Sequence, residues 1–213
     1  MKHYKNYIFD FDGTVAHTSP EVLHCLAKAC EQAGTHVDKS ELTGRLIGPA
    51  LPQIIKMLFP DILPEKSSEI VKNFRYLYDN HSFGLTKLYP GVKDKILALK
   101  NSGCTVFIAT NKAKKALFRL IKELEIEVFD DIYAVDRYEK PSSKAELVSF
   151  ILKEHNLNKE ESLMIGDNPG DIKAGAACGI DTAAALWGYA EGAAREQISS
   201  EASYKLNSIE ELP

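Results

Sequence analysis

Cysteine is scarce in this sequence, with four among 213 residues: Cys25, Cys30, Cys104 and Cys178. None of them forms a Cys-x-x-Cys pair, and the short interval between Cys25 and Cys30 does not suit a zinc site. We therefore expect reduced thiols in a cytoplasmic protein.

An excess of positive charge is also missing, since 26 Lys and Arg residues face 30 Asp and Glu residues and leave a formal charge of −4. That balance gives no support to nucleic-acid binding or to binding of an anionic membrane surface. No apolar run approaches the roughly 18 residues of a membrane-spanning helix. The basic N-terminus reaches Asp10 after a short apolar stretch, which argues against a signal peptide. We expect neither nucleic acid nor membrane as a partner.

The composition that remains, 45% apolar and 26% charged, is ordinary for a globular protein, and the length allows one large domain or one domain with a small insert. Short apolar runs alternate with helical patterns, which predicts an α/β fold with a parallel sheet and helices on both faces. The predicted strands are 7–12, 105–109, one within 129–135, 162–165 and a final strand at 182–186; the predicted helices are 92–102, 114–124, 145–155 and 171–178.

A different pattern separates the first strand from the others. Between Pro20 and Phe83, apolar residues recur at helical spacing in three segments, with no strand-like run between them. The sequence thus predicts an all-helical unit, residues 17–86, inserted into an α/β domain of residues 1–16 and 87–213.

Ligands of a parallel sheet bind beyond the carboxyl ends of its strands, so the residues that follow each strand form the candidate site. Asp10 and Asp12 are two apart, and an extended chain directs both side chains to one side. Asp167 and Asp171 are four apart at the start of a helix and share a face. A carboxylate cluster without nitrogen or sulfur ligands suits Mg²⁺.

The other residues at the strand ends suit a phosphate group. Gly13 offers a backbone N–H in a tight turn, and Thr110 and Asn111 offer a hydroxyl and amides at a strand-to-helix junction. Either Lys140 or Lys144 would add a fixed positive charge.

A carboxylate in such a site can act directly on phosphorus. Asp10 is ionised at neutral pH and needs no activating base to attack a phosphate ester. A second carboxylate would protonate the leaving oxygen and then deprotonate the water that hydrolyses the aspartyl-phosphate. The predicted chemistry is phosphoryl transfer.

These motifs resemble, in their order, those of the haloacid dehalogenase-like phosphatases over nearly the whole chain. The segment 10–15 resembles the first motif, 108–111 the second, Lys140 or Lys144 the third, and 166–171 the fourth. Segments 47–49, 89–92 and 187–189 resemble the phosphoglycolate-phosphatase-like branch. The resemblance implies a Rossmann-like core with an inserted helical cap that closes over the site and selects the substrate.

The resemblance also implies roles for the acidic residues. Asp10 would be the nucleophile and a Mg²⁺ ligand, and Asp12 the general acid/base, with its backbone carbonyl on the metal. Asp167 would complete the metal site, and Asp171 would orient a metal-bound water or the lysine.

Thr110 and Asn111 would hold the phosphate together with one lysine. Lys140 precedes Pro141, as the third-motif lysine does in many family members, whereas Lys144 opens a helix, as the lysine does in others. The shorter interval to the fourth motif favours Lys144 in this branch, and Lys140 remains the alternative.

The resulting hypothesis is a Mg²⁺-dependent phosphatase of a small phosphorylated metabolite such as phosphoglycolate. A β-phosphoglucomutase-like phosphomutase, a 5'-nucleotidase and a pyrophosphatase use the same site and remain open. A binding protein that has lost the chemistry is disfavoured because Asp10, Asp12, Thr110 and Asp167 are all present. The charge and the two-domain plan are consistent with a monomer and with a dimer formed through the cap.

Overall fold

The computed structural model describes residues 2–213, which form a six-stranded parallel sheet, a two-stranded ribbon and eight α-helices. The strands are β1 (Asn6–Phe9), β2 (Ala16–His17), β3 (Lys87–Leu88), β4 (Thr105–Thr110), β5 (Asp131–Ala134), β6 (Ser162–Gly166), β7 (Asp181–Ala185) and β8 (Tyr204–Leu206). The helices are α1 (Ser19–Gln32), α2 (Leu51–Leu58), α3 (Pro64–Asn80), α4 (Val92–Asn101), α5 (Lys114–Glu123), α6 (Lys144–Glu154), α7 (Pro169–Cys178) and α8 (Gly192–Glu201). Within residues 2–213, none of these helices combines the length and the apolar character that crossing a bilayer requires.

Strand β1 lies in the middle of the parallel sheet, whose order is β5-β4-β1-β6-β7-β8. Phe9 pairs in register with Ile108 of β4 on one side and with Ile165 of β6 on the other. The carboxyl ends of these three strands therefore lie side by side, and the predicted α/β fold is confirmed.

The apolar residues of the strands pack on both faces of the sheet. Ile8 and Phe107 belong to one buried cluster, and their neighbours Phe9 and Ile108 belong to another. Since successive side chains of a strand point to opposite faces, near-continuous apolar strands fit a sheet that helices cover on both sides. This two-sided burial holds the strand ends in fixed positions.

The chain leaves the sheet region after β1 and returns before α4 through the ribbon formed by β2 and β3. Ala16 pairs with Leu88 and His17 with Lys87, in antiparallel register. Every α-helix between these two strands, α1 to α3, belongs to the predicted helical segment, and α1 packs along α3. The predicted domain boundaries, between residues 16 and 17 and between residues 86 and 87, remain a prediction. The ribbon of β2 and β3 lies at both boundaries and supports it.

Two predictions of element boundaries were wrong. β1 ends at Phe9, because the chain bends after Asp10 instead of continuing as a strand to Asp12. The strand at 181–185 is not the last, since α8 and β8 follow it and β8 adds an edge to the sheet. These two elements carry little apolar signal, because Ile198 is the buried residue of α8 and β8 has three residues.

A buried ion pair joins the helical segment to the sheet domain. Glu21 of α1 is 1% exposed, and its Oε1 accepts a hydrogen bond from Arg119 of α5 over 3.0 Å. Its Oε2 accepts from the backbone N–H and the hydroxyl of Thr86. Arg119 also donates to the backbone carbonyl of Tyr78 in α3. One guanidinium thus holds α1, α3 and α5 together.

Loss of this guanidinium should destabilise the protein strongly. Arg119→Met leaves the Glu21 carboxylate buried without its cation, which costs about 3–5 kcal/mol in the free energy of unfolding. Lys100→Met is the matched control, because the pair between Lys100 and Asp130 is partly exposed and contributes less than about 1 kcal/mol. Urea unfolding of the two variants measures both losses, and equal losses would contradict the assignment.

Candidate active site

The residues after β1 form a tight turn against Asp167. Asp10 continues the strand by donating its N–H to the carbonyl of Ile165, and Gly13 adopts a φ of +81°. A Cβ atom on Gly13 would lie 2.2 Å from Oδ2 of Asp167. A Cβ atom on Gly188 would lie 2.2 Å from the Cβ of Asp167. The two glycines therefore allow three chain segments to meet around one carboxylate.

Helix α7 positions the two acidic residues that follow β6. Asn168 caps the helix by accepting from the N–H of Gly170, and Asp171 accepts from the N–H of Asn168 over 3.2 Å. Asp167, before the cap, accepts the backbone N–H of Tyr189 over 2.7 Å. The bonds at Asn168 and Asp171 are local to the motif, whereas Asp167 is also held by Tyr189 from a distant segment.

Lys144 lies in the centre of the site. It is the first residue of α6, which begins with a capping box between Ser143 and Glu146. Its ammonium donates to Oδ1 of Asp10 over 2.6 Å and to the carbonyl of Ala109 over 2.9 Å. It also lies 2.9 Å from Oδ1 of Asp171. The ammonium therefore makes two hydrogen bonds and has one further carboxylate oxygen within ion-pair distance.

Three buried carboxylates surround this one ammonium. Oxygen atoms of Asp10, Asp167 and Asp171 lie within 4.8 Å of one another. Burial raises the pKa of Asp10 to about 7; Lys144 opposes this rise, and the charges of Asp171 and Asp12 add to it. Burial and the charges of Asp171 and Asp10 also hold the pKa of Asp167 well above its usual range. An all-oxygen donor set with excess negative charge fits a hard divalent cation.

Burial and carboxylate charge act in opposite directions on Lys144. Burial alone would lower the pKa of its ammonium, but the neighbouring charges of Asp10 and Asp171 outweigh burial and raise it. Lys144 therefore stays protonated throughout the physiological range, and the cluster keeps one fixed positive charge.

Asp12 lies apart from the carboxylate cluster. Its Oδ1 accepts from the hydroxyl of Thr18 over 2.5 Å and lies 2.9 Å from the ammonium of Lys112. The expectation of an extended strand through Asp10 and Asp12 is wrong, because the strand ends before both residues. Both nevertheless line the same cavity.

The residues predicted to hold phosphate differ in their surroundings. Thr110 is buried and Asn111 is exposed, and both line the cavity. Asn111 also donates to the carbonyl of Gly48 in the helical segment over 3.4 Å. Lys140 is exposed, and its neighbour Pro141 lines the cavity instead. The structure brings Lys144 to Asp10 and leaves Lys140 at the surface.

Two further residues contact the site and were not predicted. Lys112 directly follows Thr110 and Asn111, so its proximity to the second motif was the available signal. Tyr189 belongs to the segment 187–189, and its hydroxyl accepts from the backbone N–H groups of Thr18 and Ser19 over 2.7 and 2.9 Å. Both contacts depend on the direction of a side chain in a loop, and the periodicity of the sequence does not predict that direction.

A cavity of about 440 Å³ opens between the helical segment and the sheet ends. The helical segment contributes mainly apolar residues from 46–54 together with Phe74, Arg75 and Tyr78. The sheet domain contributes the polar end, with Asp10, Asp12, Thr110, Asn111 and Lys112. A polar base beneath a largely apolar wall is the arrangement of a small-molecule site.

The family model described as "Haloacid dehalogenase-like hydrolase" matches residues 7–185. The chain belongs to this family. It is 30% identical over 186 residues to a phosphoglycolate phosphatase of Aquifex aeolicus (strain VF5), covering 85% of this chain and 84% of the relative. It is 25% identical over 206 residues to the tyrosine-protein kinase PtkA of Mycobacterium tuberculosis (strain ATCC 25618 / H37Rv), covering 96% of this chain and 70% of the relative.

The solved structures agree with the fold. A haloacid dehalogenase-like family hydrolase from Streptococcus pneumoniae superimposes with a TM-score of 0.84 at 24% identity, covering 98% of this chain and 96% of the other. The match of the family model confirms the family resemblance stated from the four motifs.

Because the carboxylates of the cluster repel one another, we expect Asp10→Asn to increase the free energy of unfolding at high pH. Because the pKa of Asp10 is raised by folding, the free energy of unfolding falls as pH rises from about 4 through 7 in the absence of divalent cations. Asp10→Asn removes the contribution of Asp10 to this slope, whereas the contribution of Asp167 remains. At pH 8 the variant should be more stable than the wild type by about 1–4 kcal/mol, since a pKa change of one corresponds to about 1.4 kcal/mol.

Denaturant unfolding in the presence of a chelator measures this difference. Asp61→Asn is the control, because it makes the same chemical change at an exposed carboxylate outside the cluster. An Asp10→Asn variant that is less stable than the wild type at pH 8 would contradict the prediction.

Proposed function

We propose that the protein is a Mg²⁺-dependent phosphatase that hydrolyses a small phosphomonoester through an aspartyl-phosphate on Asp10. The observation that carries the proposal is the buried carboxylate of Asp10, which lines the cavity together with Thr110 at the end of β4 and is bound on Oδ1 by Lys144. The family and the name of the Aquifex relative support the same reaction class.

In the first step the carboxylate of Asp10 attacks phosphorus. A new P–O bond forms to Asp10, the ester P–O bond breaks, and Asp12 gives its proton to the departing oxygen. Lys144, Thr110 and Asn111 bind the phosphoryl oxygens as their charge rearranges. The N–H of Gly13 contributes a further donor at the tight turn.

In the second step water attacks the aspartyl-phosphate. Asp12 takes the proton of the attacking water, the bond between phosphorus and Asp10 breaks, and inorganic phosphate leaves. Asp12 and Asp10 return to their starting protonation states, so the cycle is balanced.

The carboxylates of Asp10 and Asp167 and the backbone carbonyl of Asp12 would hold the Mg²⁺ ion. When bound, the ion offsets the repulsion between the carboxylate and the phosphate dianion. Asp171 orients Lys144 through their 2.9 Å contact. The excess of three carboxylates over one ammonium supports a cation at this position.

We infer that residues 17–86 form the cap and that their wall of the cavity selects the leaving group. Arg75 of α3 lines this wall and offers a cation to an anionic leaving group such as a carboxylate. Phosphoglycolate is therefore the first compound to test.

Phosphate release from a panel of compounds tests the reaction class. The panel contains phosphoglycolate, a hexose phosphate, a nucleoside monophosphate and pyrophosphate. We expect release with Mg²⁺, none with chelator, and a loss of at least about 10³-fold in Asp10→Asn, because both steps use the covalent intermediate. An acid-stable phosphoprotein on Asp10 that persists without phosphate release would contradict hydrolysis and favour transfer to another acceptor.

The same assay distinguishes the two candidate lysines, because replacing each of them should change activity by a different amount. Lys144→Met should lower kcat by at least about 10²-fold, the loss typical of one charge-stabilising donor. Lys140→Met is the matched control and should stay within about twofold. Lys144→Arg keeps the positive charge and shows how much of the loss is due to the charge. Thermal unfolding of each variant shows whether the protein is still folded. The reverse order would assign the third motif to Lys140.

A further inference from the structure

Lys112 is a buried cation of the site to which the motifs assign no role. Its side chain is 4% exposed, and its ammonium lies 2.9 Å from Oδ1 of Asp12. It donates a hydrogen bond to the hydroxyl of Tyr78 over 2.7 Å, with the ring centre 4.6 Å away. Tyr78 comes from α3 in the helical segment, whereas Lys112 follows β4. The ammonium therefore links the helical segment to the turn that carries Asp12.

Both side-chain donors that contact Asp12 act on the same oxygen. The hydroxyl of Thr18 and the ammonium of Lys112 lie at hydrogen-bond distance from Oδ1. Within residues 2–213, Oδ2 accepts no side-chain hydrogen bond. Since Asp12 lines the cavity, Oδ2 is the oxygen left for a ligand.

We propose that Lys112 is a positioning residue for proton transfer by Asp12. With Thr18 it holds Oδ1, so that Oδ2 exchanges the proton with the substrate, and Tyr78 keeps the ammonium in place. In the first step the O–H bond on Oδ2 breaks, a new O–H bond forms on the leaving oxygen, and that oxygen receives the electron pair of the broken ester bond. The inference rests on the proposed function, because it needs Asp12 as the proton donor.

A purely structural role would have a different signature. Lys112 also offsets the charge of Asp12, and removal of a buried partner destabilises a fold whatever the chemistry. Positioning of a proton donor matters only where the leaving oxygen needs a proton. Substrates whose leaving groups differ in their need for a proton therefore distinguish a positioning role of Lys112 from a purely structural one.

The test compares Lys112→Met with the wild type on two substrates. One is the best alkyl phosphate of the panel, whose alkoxide needs the proton; the other is p-nitrophenyl phosphate, whose phenolate leaves without one. We compare kcat/KM, which reports the steps up to the first irreversible one. The expected loss is at least about tenfold for the alkyl phosphate and less than about threefold for p-nitrophenyl phosphate, since general acid–base catalysis contributes about 10²–10⁴-fold.

Three further variants act as controls. Lys112→Arg keeps a cationic donor and should recover part of the alkyl phosphate activity. Tyr78→Phe keeps the ring but not the acceptor, and should give a smaller loss with the same substrate dependence. Lys115→Met removes another contact between α5 and α3, the exposed bond to Asn80, and should leave the ratio between the two substrates unchanged.

Either of two results would overturn the inference while the wild type is active. One is an equal loss on both substrates in a folded Lys112→Met variant, which thermal unfolding establishes. The other is an unchanged kcat/KM on the alkyl phosphate. A wild-type protein that releases phosphate from neither substrate would instead contradict the proposed function, so the two failures are distinguishable.

Discussion

The ion pair between Lys144 and Asp10 is the interaction on which the rest of the site depends. A buried carboxylate needs a partner, and here one ammonium contacts two carboxylates and a strand carbonyl. One positive charge does not balance three negative charges in this space, so the cluster stays electrostatically unfavourable. The surrounding structure keeps these side chains together despite their repulsion. They are attached to a central strand that is buried on both faces and to two helices that begin with capping boxes.

The bend that follows β1 separates the environments of two aspartates, Asp10 and Asp12, which lie two positions apart in the sequence. Asp10 lies at the end of the sheet among buried charges, where its pKa is raised to about 7 by burial above all. Asp12 lies beyond the cluster, where Thr18 and Lys112 contact one of its oxygens. Two carboxylates of one motif thus occupy different environments, which is how one residue type serves two chemical roles.

Much of the fold follows from local patterns that the sequence displays. The apolar strands and the tight turn at Gly13 depend on a few consecutive residues, and the structure contains the strands and the turn predicted from them. The parallel register then brings the strand ends together, which is why residues as distant in sequence as Asp10 and Asp167 were predicted to meet.

The remaining features depend on contacts that no local pattern reports. α8 and β8 escaped prediction because one buried residue in a helix and a three-residue edge strand leave almost no periodic signal. Lys112 and Tyr189 escaped because a loop side chain takes its direction from distant neighbours, in this case Tyr78 of α3 and the backbone of Thr18.

These distant contacts make the helical segment part of the site. The N-terminus of α1 has no side-chain cap of its own, and the hydroxyl of Tyr189 accepts two of its backbone N–H groups instead. The backbone N–H of the same Tyr189 binds Asp167, and Thr18 at this helix start binds Asp12. A shift of α1 relative to the sheet would therefore disturb a carboxylate of the cluster and the separate carboxylate of Asp12 together. The position of the helical segment is therefore coupled to the positions of Asp12 and Asp167, through Tyr189 and Thr18 and also through the contact of Lys112 with Tyr78.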